Sequence, residues 1–443
     1  MNLIYQVNDK PKFGQILVFA FQQLLAILAA TIAVPSIIGN GMSQSAALFG
    51  AGAGTLIYLL FTQFKSPVFL GSSFAFIGSM FAAFGGAVSM EVGYAGLIIG
   101  AIFAGLVYVI IALVVKFVGV NWISKLMPAV VIGPTVAIIG LSLAGNAVAD
   151  LQVGKVLADG VSVASPYACI ICGLFTLAVV ILCSVYGKKM TRLIPFIIGI
   201  VAGYALAAVL TLIGMNMNIK ELMIIDFSAF SNMQWYPDFT IAKAAQGIGA
   251  IDAQYIATVA VAYIPVAFVV FAEHIADHKN LSSIIDKDLL EEPGLHRTLL
   301  GDGVGSIVGA IFGGCPNTTY GESVGCVAIT KNASIVTILT TAIIAIVASF
   351  IAPFVTFLAT IPNCVMGGVC ISLYGFIAVS GLKMIQQVNL NANKNLFVVA
   401  VILITGIGGL TLTFGQVTIT SIACALILGI LTNLAVSKGK EDE

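Results

Sequence analysis

Apolar runs of about twenty residues, separated by short charged clusters, make up almost the whole chain. A helix of about 20 residues spans the hydrocarbon core of a bilayer, and the runs are continuous, whereas β-barrel strands alternate between polar and apolar residues. Only 9% of the 443 residues are charged and 60% are hydrophobic, whereas a soluble protein carries roughly 25% charged residues. The sequence therefore predicts an all-α polytopic membrane protein. It excludes a soluble enzyme, a secreted domain and a nucleic-acid-binding protein, which would need a basic patch.

The apolar runs predict about fourteen membrane segments of this length. Two of them, 68–88 and 316–330, are too short or too interrupted to be plain helices. In chain order, the predicted segments are 14–38, 46–64, 68–88, 93–115, 122–146, 165–186, 193–214, 252–277, 298–312, 316–330, 333–358, 362–381, 395–413 and 417–436.

The basic residues indicate how these segments are oriented. If the N-terminus is cytoplasmic, all but three of the 19 basic residues fall in cytoplasmic loops, as the positive-inside rule requires. The exceptions are Lys155, Lys220 and Lys243. We therefore expect an even number of segments in the cell membrane, with both termini cytoplasmic. The predicted parts are a cytoplasmic N-terminus (1–12), a first seven-segment repeat (13–214), an extracellular or periplasmic loop (215–250), a second seven-segment repeat (251–436) and a cytoplasmic C-terminus (437–443).

The two interrupted segments are the third and the tenth, one in each half of the chain. Residues 67–80 and 313–330 pass through Pro, Gly and small polar residues before they become apolar again. Non-helical backbone at membrane depth is tolerated where it is covered by protein or lines a wet cavity. A matched pair of such segments is typical of the binding site of a transporter with inverted repeats. The alternative is an ordinary re-entrant kink in each half.

Three acidic residues lie inside or beside these apolar segments. Glu273 and Asp277 are four residues apart, on one helix face, and Glu322 follows the break in segment ten. Acids within a membrane segment are costly and mark ion or substrate pathways, and removal from water favours the neutral form of a carboxyl group. They are candidates to exchange a proton and to hydrogen-bond a planar polar solute. The alternatives are structural hydrogen bonds and, for Asp277, a solvated helix end.

Other reactive residues have simpler interpretations. His274 and His278, with Asp277, have metal-ligand spacing, but no further ligand motif follows, so we expect histidines at a helix end and no metal. The pair Cys169 and Cys172 has CxxC spacing inside an apolar run, which is more typical of buried cysteine than of redox chemistry. No cofactor motif is present. Asp302 has no second aspartate in a suitable motif, which argues against an intramembrane hydrolase, so we expect no enzyme activity.

Several sequence runs, spread in order over most of the chain, resemble the nucleobase–ascorbate transporter family (nucleobase:cation symporter-2), and within it the bacterial uracil permeases. The run around Glu322 is the most specific. The matching runs are Gly71-Ser72-Ser73-Phe74-Ala75-Phe76, Ala272-Glu273-His274, Pro293-Gly294-Leu295-His296-Arg297, Pro316-Asn317-Thr318-Thr319-Tyr320-Gly321-Glu322, Ala328-Ile329-Thr330 and Val365-Met366-Gly367-Gly368.

This resemblance implies a fold and a site. The fold would have fourteen segments in two inverted repeats, with segments three and ten broken by short extended stretches, arranged as a core domain and a gate domain. The activity would be proton-coupled uracil uptake by alternating access. Glu273 and Glu322 would bind uracil through their side chains, Phe74 and Gly321 through their backbones, and Tyr320 would pack beside the ring. Glu273, Asp277 and Glu322 would be the proton-coupling candidates, and homodimers are common in the family.

The chain departs from the family pattern at three positions. Asp277 stands where a uracil-type pattern has His, and His278 follows it. Gln23 stands where the family often has His, and Ser323 where it usually has Asn. These differences affect the expected coupling and fine selectivity more than the class.

The resemblance therefore implies a uracil:H⁺ symporter. Within the transporter class, the alternative is a symporter for xanthine, uric acid or another nucleobase, although Glu rather than Gln at position 322 resembles the uracil-type branch. An anion or solute channel is the alternative from a different class, but it would need a continuous polar pore or rings of charge.

Overall fold

The structure is a computed structural model that describes residues 3–119, 122, 128–158, 161–188, 190–231, 233–414 and 417–437. Four of the lysines that support the predicted orientation, Lys125, Lys189, Lys438 and Lys440, lie outside the described residues. The same is true of most of the predicted cytoplasmic C-terminus and of the start of segment 122–146.

Helices dominate the described chain, and the six strands are two or three residues long. The helices are α1 Phe13–Ile38, α2 Gln44–Phe61, α3 Ile77–Gly85, α4 Met90–Val118, α5 Ala129–Ser142, α6 Ala144–Asp150, α7 Pro166–Tyr186, α8 Met190–Leu193, α9 Pro195–Met217, α10 Thr240–Gly247, α11 Ala253–Ile285, α12 Leu295–Gly313, α13 Gly321–Thr330, α14 Ile335–Ala348, α15 Ala352–Thr360, α16 Asn363–Ile385, α17 Asn393–Ile407 and α18 Ser421–Val436. The strands are β1 Leu70–Ser72, β2 Leu157–Ala158, β3 Val161–Ser162, β4 Asn317–Thr319, β5 Leu412–Phe414 and β6 Val417–Ile419.

The prediction of a polytopic helical membrane protein is confirmed. Within the described residues, eight helical stretches are long and apolar enough to cross a membrane, or nine if the bent pair α14 and α15 counts as one span. That pair bends by 83° at the break between Ala348 and Ala352, where the sequence predicted one continuous segment, 333–358.

Residues at the helix ends explain where several helices begin. Pro166 and Pro195 stand in the first turns of α7 and α9, where proline has no amide hydrogen bond to lose. Hydroxyl and carboxylate side chains accept first-turn amide hydrogen bonds at other N-termini. These N-caps are Ser43, Ser89, Asp252 and Thr420.

Glycines allow three helices, α2, α4 and α12, to pack closely. A Cβ atom added to Gly50 or Gly54 of α2 would lie 2.7 or 2.8 Å from a backbone oxygen of α12. Gly105 of α4 approaches α12 equally closely, at the Gly303 oxygen. Small residues permit such approach between membrane helices, so α2, α4 and α12 form one tightly packed cluster.

A second cluster contains α5, α7 and α16. A Cβ atom on Gly381 of α16 would lie 2.5 Å from the Gly133 oxygen of α5, and one on Gly173 of α7 would lie 2.6 Å from the Cys364 oxygen of α16. Cys169 and Cys172 lie within this cluster, fully buried with free thiols, in agreement with the structural interpretation of the CxxC spacing.

Candidate binding site

The two interrupted segments meet in a short antiparallel strand pair. In β1 and β4, Leu70 pairs with Thr319, Gly71 with Thr318 and Ser72 with Asn317. All six of these residues are buried. A helical turn at Phe74–Phe76 follows β1, and α13 follows β4. Because the strands are antiparallel, the Phe74–Phe76 turn and α13 leave from opposite ends of the strand pair. The N-terminus of each of these helical stretches therefore lies next to the pair.

Close contact between Gly71 and Tyr320 keeps the strand pair compact. A Cβ atom on Gly71 would overlap the Tyr320 ring, so this position requires glycine. The Tyr320 hydroxyl donates a hydrogen bond to the Ser72 carbonyl oxygen at 2.7 Å. Tyr320 is also the N-cap of α13 and gives it no side-chain hydrogen bond, and amide groups in the first turn of a helix can bind an acceptor.

The three predicted acidic residues line one cavity of about 450 Å³. Glu273 and Asp277 come from α11 and Glu322 from the first turn of α13. The Thr319 hydroxyl donates a hydrogen bond to Asp277 Oδ2 at 2.9 Å. The other oxygen of Asp277 lies 3.8 Å from the position of a Cβ atom on Gly321. The structure therefore brings Glu273, Asp277 and Glu322 together, and Asp277 is tied to strand β4 rather than solvated at a helix end.

A smaller adjoining cavity of about 40 Å³ lies between the N-terminus of the Phe74–Phe76 turn and the N-terminus of α13. Phe74, Tyr320 and Gly321 line it, and Glu273 and Glu322 line both cavities. All the predicted substrate-contacting residues thus line the smaller cavity, and Glu273, Gly321 and Glu322 also line the larger one. The opposite wall of the smaller cavity is apolar and comes from Ile139 of α5 and Ile377 of α16.

The larger cavity opens at one end of the helix bundle. From the acidic residues it extends to Ser184, near the C-terminal end of α7, and to Ser380 and Met384 near that of α16. Arg192 lines its outer part and is exposed. A polar solute at the acidic residues therefore has a path to solvent on this side.

The histidines of α11 do not lie at a helix end, so that part of the sequence interpretation is wrong. α11 continues to Ile285, and both histidines are fully buried. His274 Nδ1 lies 2.7 Å from Asp302 Oδ2, and His278 Nε2 lies 2.6 Å from the Tyr58 hydroxyl. These contacts attach the face of α11 away from the cavity to α12 and α2, which gives the histidines a structural role.

Sequence reasoning did not find the contact between Gln23 and Ser323. The Gln23 amide nitrogen donates a hydrogen bond to Ser323 Oγ at 2.6 Å. These are two of the three positions at which the chain departs from the family pattern. That both positions differ from the pattern is the one sequence signal that could have pointed to their contact.

Comparison with known proteins identifies relatives over nearly the whole chain. Residues 14–414 match the model of a family described as a permease family. The uracil permease of Bacillus caldolyticus is 38% identical over 436 residues, covering 97% of this chain and 94% of that protein. The uracil permease of Bacillus subtilis (strain 168) is 35% identical, with 99% of this chain and 96% of that protein covered.

A solved structure shares the fold at much lower identity. The transmembrane domain of a cyanobacterium bicarbonate transporter superposes with a TM-score of 0.64 at 16% identity, covering 98% of this chain and all of that domain. The fold is therefore one used by membrane transporters. The sequence matches extend over nearly the whole chain, and the chain belongs to the permease family that contains the bacterial uracil permeases.

Proposed function

We propose that the chain takes up uracil across the cell membrane, coupled to the inward movement of protons. The observation that carries this proposal is that Glu273, Asp277 and Glu322 line one cavity together with the N-termini of both interrupted segments. The relatives named as uracil permeases support uracil as the substrate.

The chemistry of the site complements a planar pyrimidine. Uracil presents two ring N–H donors and two carbonyl acceptors in one plane. Carboxylate oxygens of Glu273 and Glu322 accept from N–H groups, and the backbone amides at Phe74 and Gly321 donate to carbonyl oxygens. Tyr320, held by its bond to Ser72, packs beside the ring. Hydrogen bonds to charged groups are the strongest of these, so the two glutamates determine affinity.

Proton coupling follows from the same carboxyl groups. A carboxyl group facing a low-dielectric cavity changes its protonation as the cavity opens and closes to water. Glu273 is the principal candidate because it lines both cavities and lies on the same face of α11 as Asp277. Asp277 and Glu322 are its neighbours in the proposed proton path, and the proton enters with uracil and leaves to the cytoplasm.

We further propose fourteen segments in two inverted repeats, 13–214 and 251–436, with the loop 215–250 outside the cell. Strand β1 comes from the first repeat and strand β4 from the second, as expected for a site at a repeat interface. The cluster of α2, α4 and α12 belongs to the core domain, and the cluster of α5, α7 and α16 to the gate domain. With cytoplasmic termini, the larger cavity opens inward, toward Arg192.

Uptake of labelled uracil into proteoliposomes tests this function. We expect saturable uptake that rises when an inward proton gradient is imposed and falls when a protonophore dissipates it. Uptake that ignores the gradient would refute proton coupling. Uptake that does not saturate would favour the channel alternative, because channels conduct without a turnover limit.

A competition panel tests the substrate. Unlabelled uracil is expected to compete best, and thymine and fluorouracil less well. Stronger competition by xanthine or uric acid would replace uracil with a purine-type substrate.

A further inference from the structure

One buried hydroxyl group, Ser323 Oγ, joins three separate parts of the chain beside the site. It accepts a hydrogen bond from the Gln23 side-chain nitrogen at 2.6 Å and another from the Phe69 backbone nitrogen at 3.0 Å. Gln23 lies in α1, and Phe69 directly precedes strand β1. Ser323 and Phe69 are 0% exposed and Gln23 is 2% exposed, so water does not substitute for these bonds.

The position of this junction relates it to substrate binding. Ser323 directly follows Glu322 in the first turn of α13, while Phe69 leads into the strand that ends at Phe74. The two bonds therefore fix the N-terminus of α13 relative to α1 and relative to the first interrupted segment. Movement of Ser323 would move the Glu322 backbone with it.

We propose that Gln23 and Ser323 form a matched pair of positioning residues that orient Glu322 toward the substrate, without touching the substrate themselves. Neither residue lines either cavity at the acidic residues, which separates their role from that of Glu322. The proposal rests on the proposed uracil site, since it is the orientation of a substrate-binding glutamate that the pair controls.

The two side chains are not equivalent within the pair. Ser323→Ala removes both bonds to the hydroxyl and leaves the buried Phe69 amide without this partner, which is costly. The Gln23 amide nitrogen keeps only its longer bond, 3.4 Å, to the Ser323 carbonyl oxygen. Gln23→Met keeps the shape of the side chain and the bond from Phe69 but removes the bond between α1 and α13. Because the residues are in direct contact, their effects are not additive.

The experiment measures the KM and maximal rate of uracil uptake, together with thermal unfolding in detergent, for Ser323→Ala, Gln23→Met and the double variant. We expect KM to rise about tenfold for Ser323→Ala and less for Gln23→Met, with a maximal rate within about twofold of wild type. The double variant should resemble Ser323→Ala. Thr330→Ala is the matched control, because it removes a hydroxyl of the same helix whose bond, to the Cys326 carbonyl oxygen, is local.

Several outcomes would overturn the positioning role. One is an unchanged KM in a folded Ser323→Ala variant, and another is an equal rise in KM for Thr330→Ala. Additive effects in the double variant would show that the two residues act separately. If Ser323→Ala does not fold, Gln23→Met alone decides, through its KM. If the wild-type protein neither binds nor takes up uracil, it is the proposed function that fails, which these variants do not address.

Discussion

At the scale of single residues, Glu322 and Glu291 form a natural comparison. Glu322 lines both cavities from the first turn of α13, whereas Glu291 is exposed in the connection before α12. Glu322→Gln keeps the shape of the side chain but replaces one acceptor oxygen with a donor. A hydrogen bond to a charged group contributes about 1.5–3 kcal/mol, so we expect uracil affinity to fall roughly 10- to 100-fold, measured by equilibrium binding to the purified protein.

Glu291→Gln is the control for this prediction and should bind uracil like the wild type. Unfolding temperatures of both variants should remain close to that of the wild type. Unchanged affinity in Glu322→Gln would remove this glutamate from the site.

The sequence was informative about these residues where the chemistry was local. Glu273 and Asp277 are four residues apart, so helical geometry alone places them on one face. The partners of the neighbouring histidines were not visible, because Asp302 and Tyr58 come from other helices and no motif connects them. The contact between Gln23 and Ser323 joins residues 300 positions apart, which periodicity cannot detect.

At the scale of elements, the interrupted segments were recognisable because Gly, Pro and small polar residues cannot continue an apolar helix. What the sequence could not give was the pairing of Leu70–Ser72 with Asn317–Thr319, because register depends on tertiary packing. Helix ends were also misplaced. α11 runs to Ile285 although its last turns contain polar residues, because Leu281 and Ile285 remain buried against the N-terminal part of the chain.

The N-terminal segment, residues 3–9, is a further element that hydropathy did not reveal. It lies along the connection between α13 and α14. The Ala333 and Ile335 amides donate to the Tyr5 and Val7 carbonyl oxygens at 2.9 and 3.0 Å. Val7 is 3% exposed and packs in a cluster with Leu281 and other apolar residues. The segment thus holds the end of α13 that is opposite to Glu322.

Val7→Asp tests this element, because it places a carboxylate in an apolar cluster without a partner. We expect the unfolding temperature in detergent to fall by several degrees and uracil uptake to decrease. Asn8→Asp adds the same charge at an exposed neighbouring position and should change neither quantity. Equal behaviour of the two variants would show that the segment does not stabilise the bundle.

At the scale of the whole molecule, composition alone was enough for the class, because a chain with 9% charged residues cannot cover a globule in water. The number of segments is harder to derive, since α3, α13 and the bent pair α14 and α15 do not resemble ordinary spans. The fold is instead supported by the bicarbonate transporter domain, which shares it at 16% identity. Packing through small residues and broken helices thus tolerates extensive sequence change, while the proposed specific chemistry depends on the acidic residues at the site.

The proposed orientation makes a prediction for the protein in intact cells. The basic residues favour cytoplasmic termini, so Lys10 and Lys287 should face the cytoplasm and Lys220 the outside; all three are exposed. Single cysteine variants at these positions can be labelled in intact cells with a membrane-impermeant maleimide. The native background of labelling is low, because seven of the eight cysteines are buried, and Cys183→Ser removes the remaining partly exposed thiol.

We expect Lys220→Cys to react in intact cells, and Lys10→Cys and Lys287→Cys to react only after permeabilisation. Reaction of Lys10→Cys and Lys220→Cys from the same side would require an even number of crossings between them, which contradicts seven segments in the first repeat.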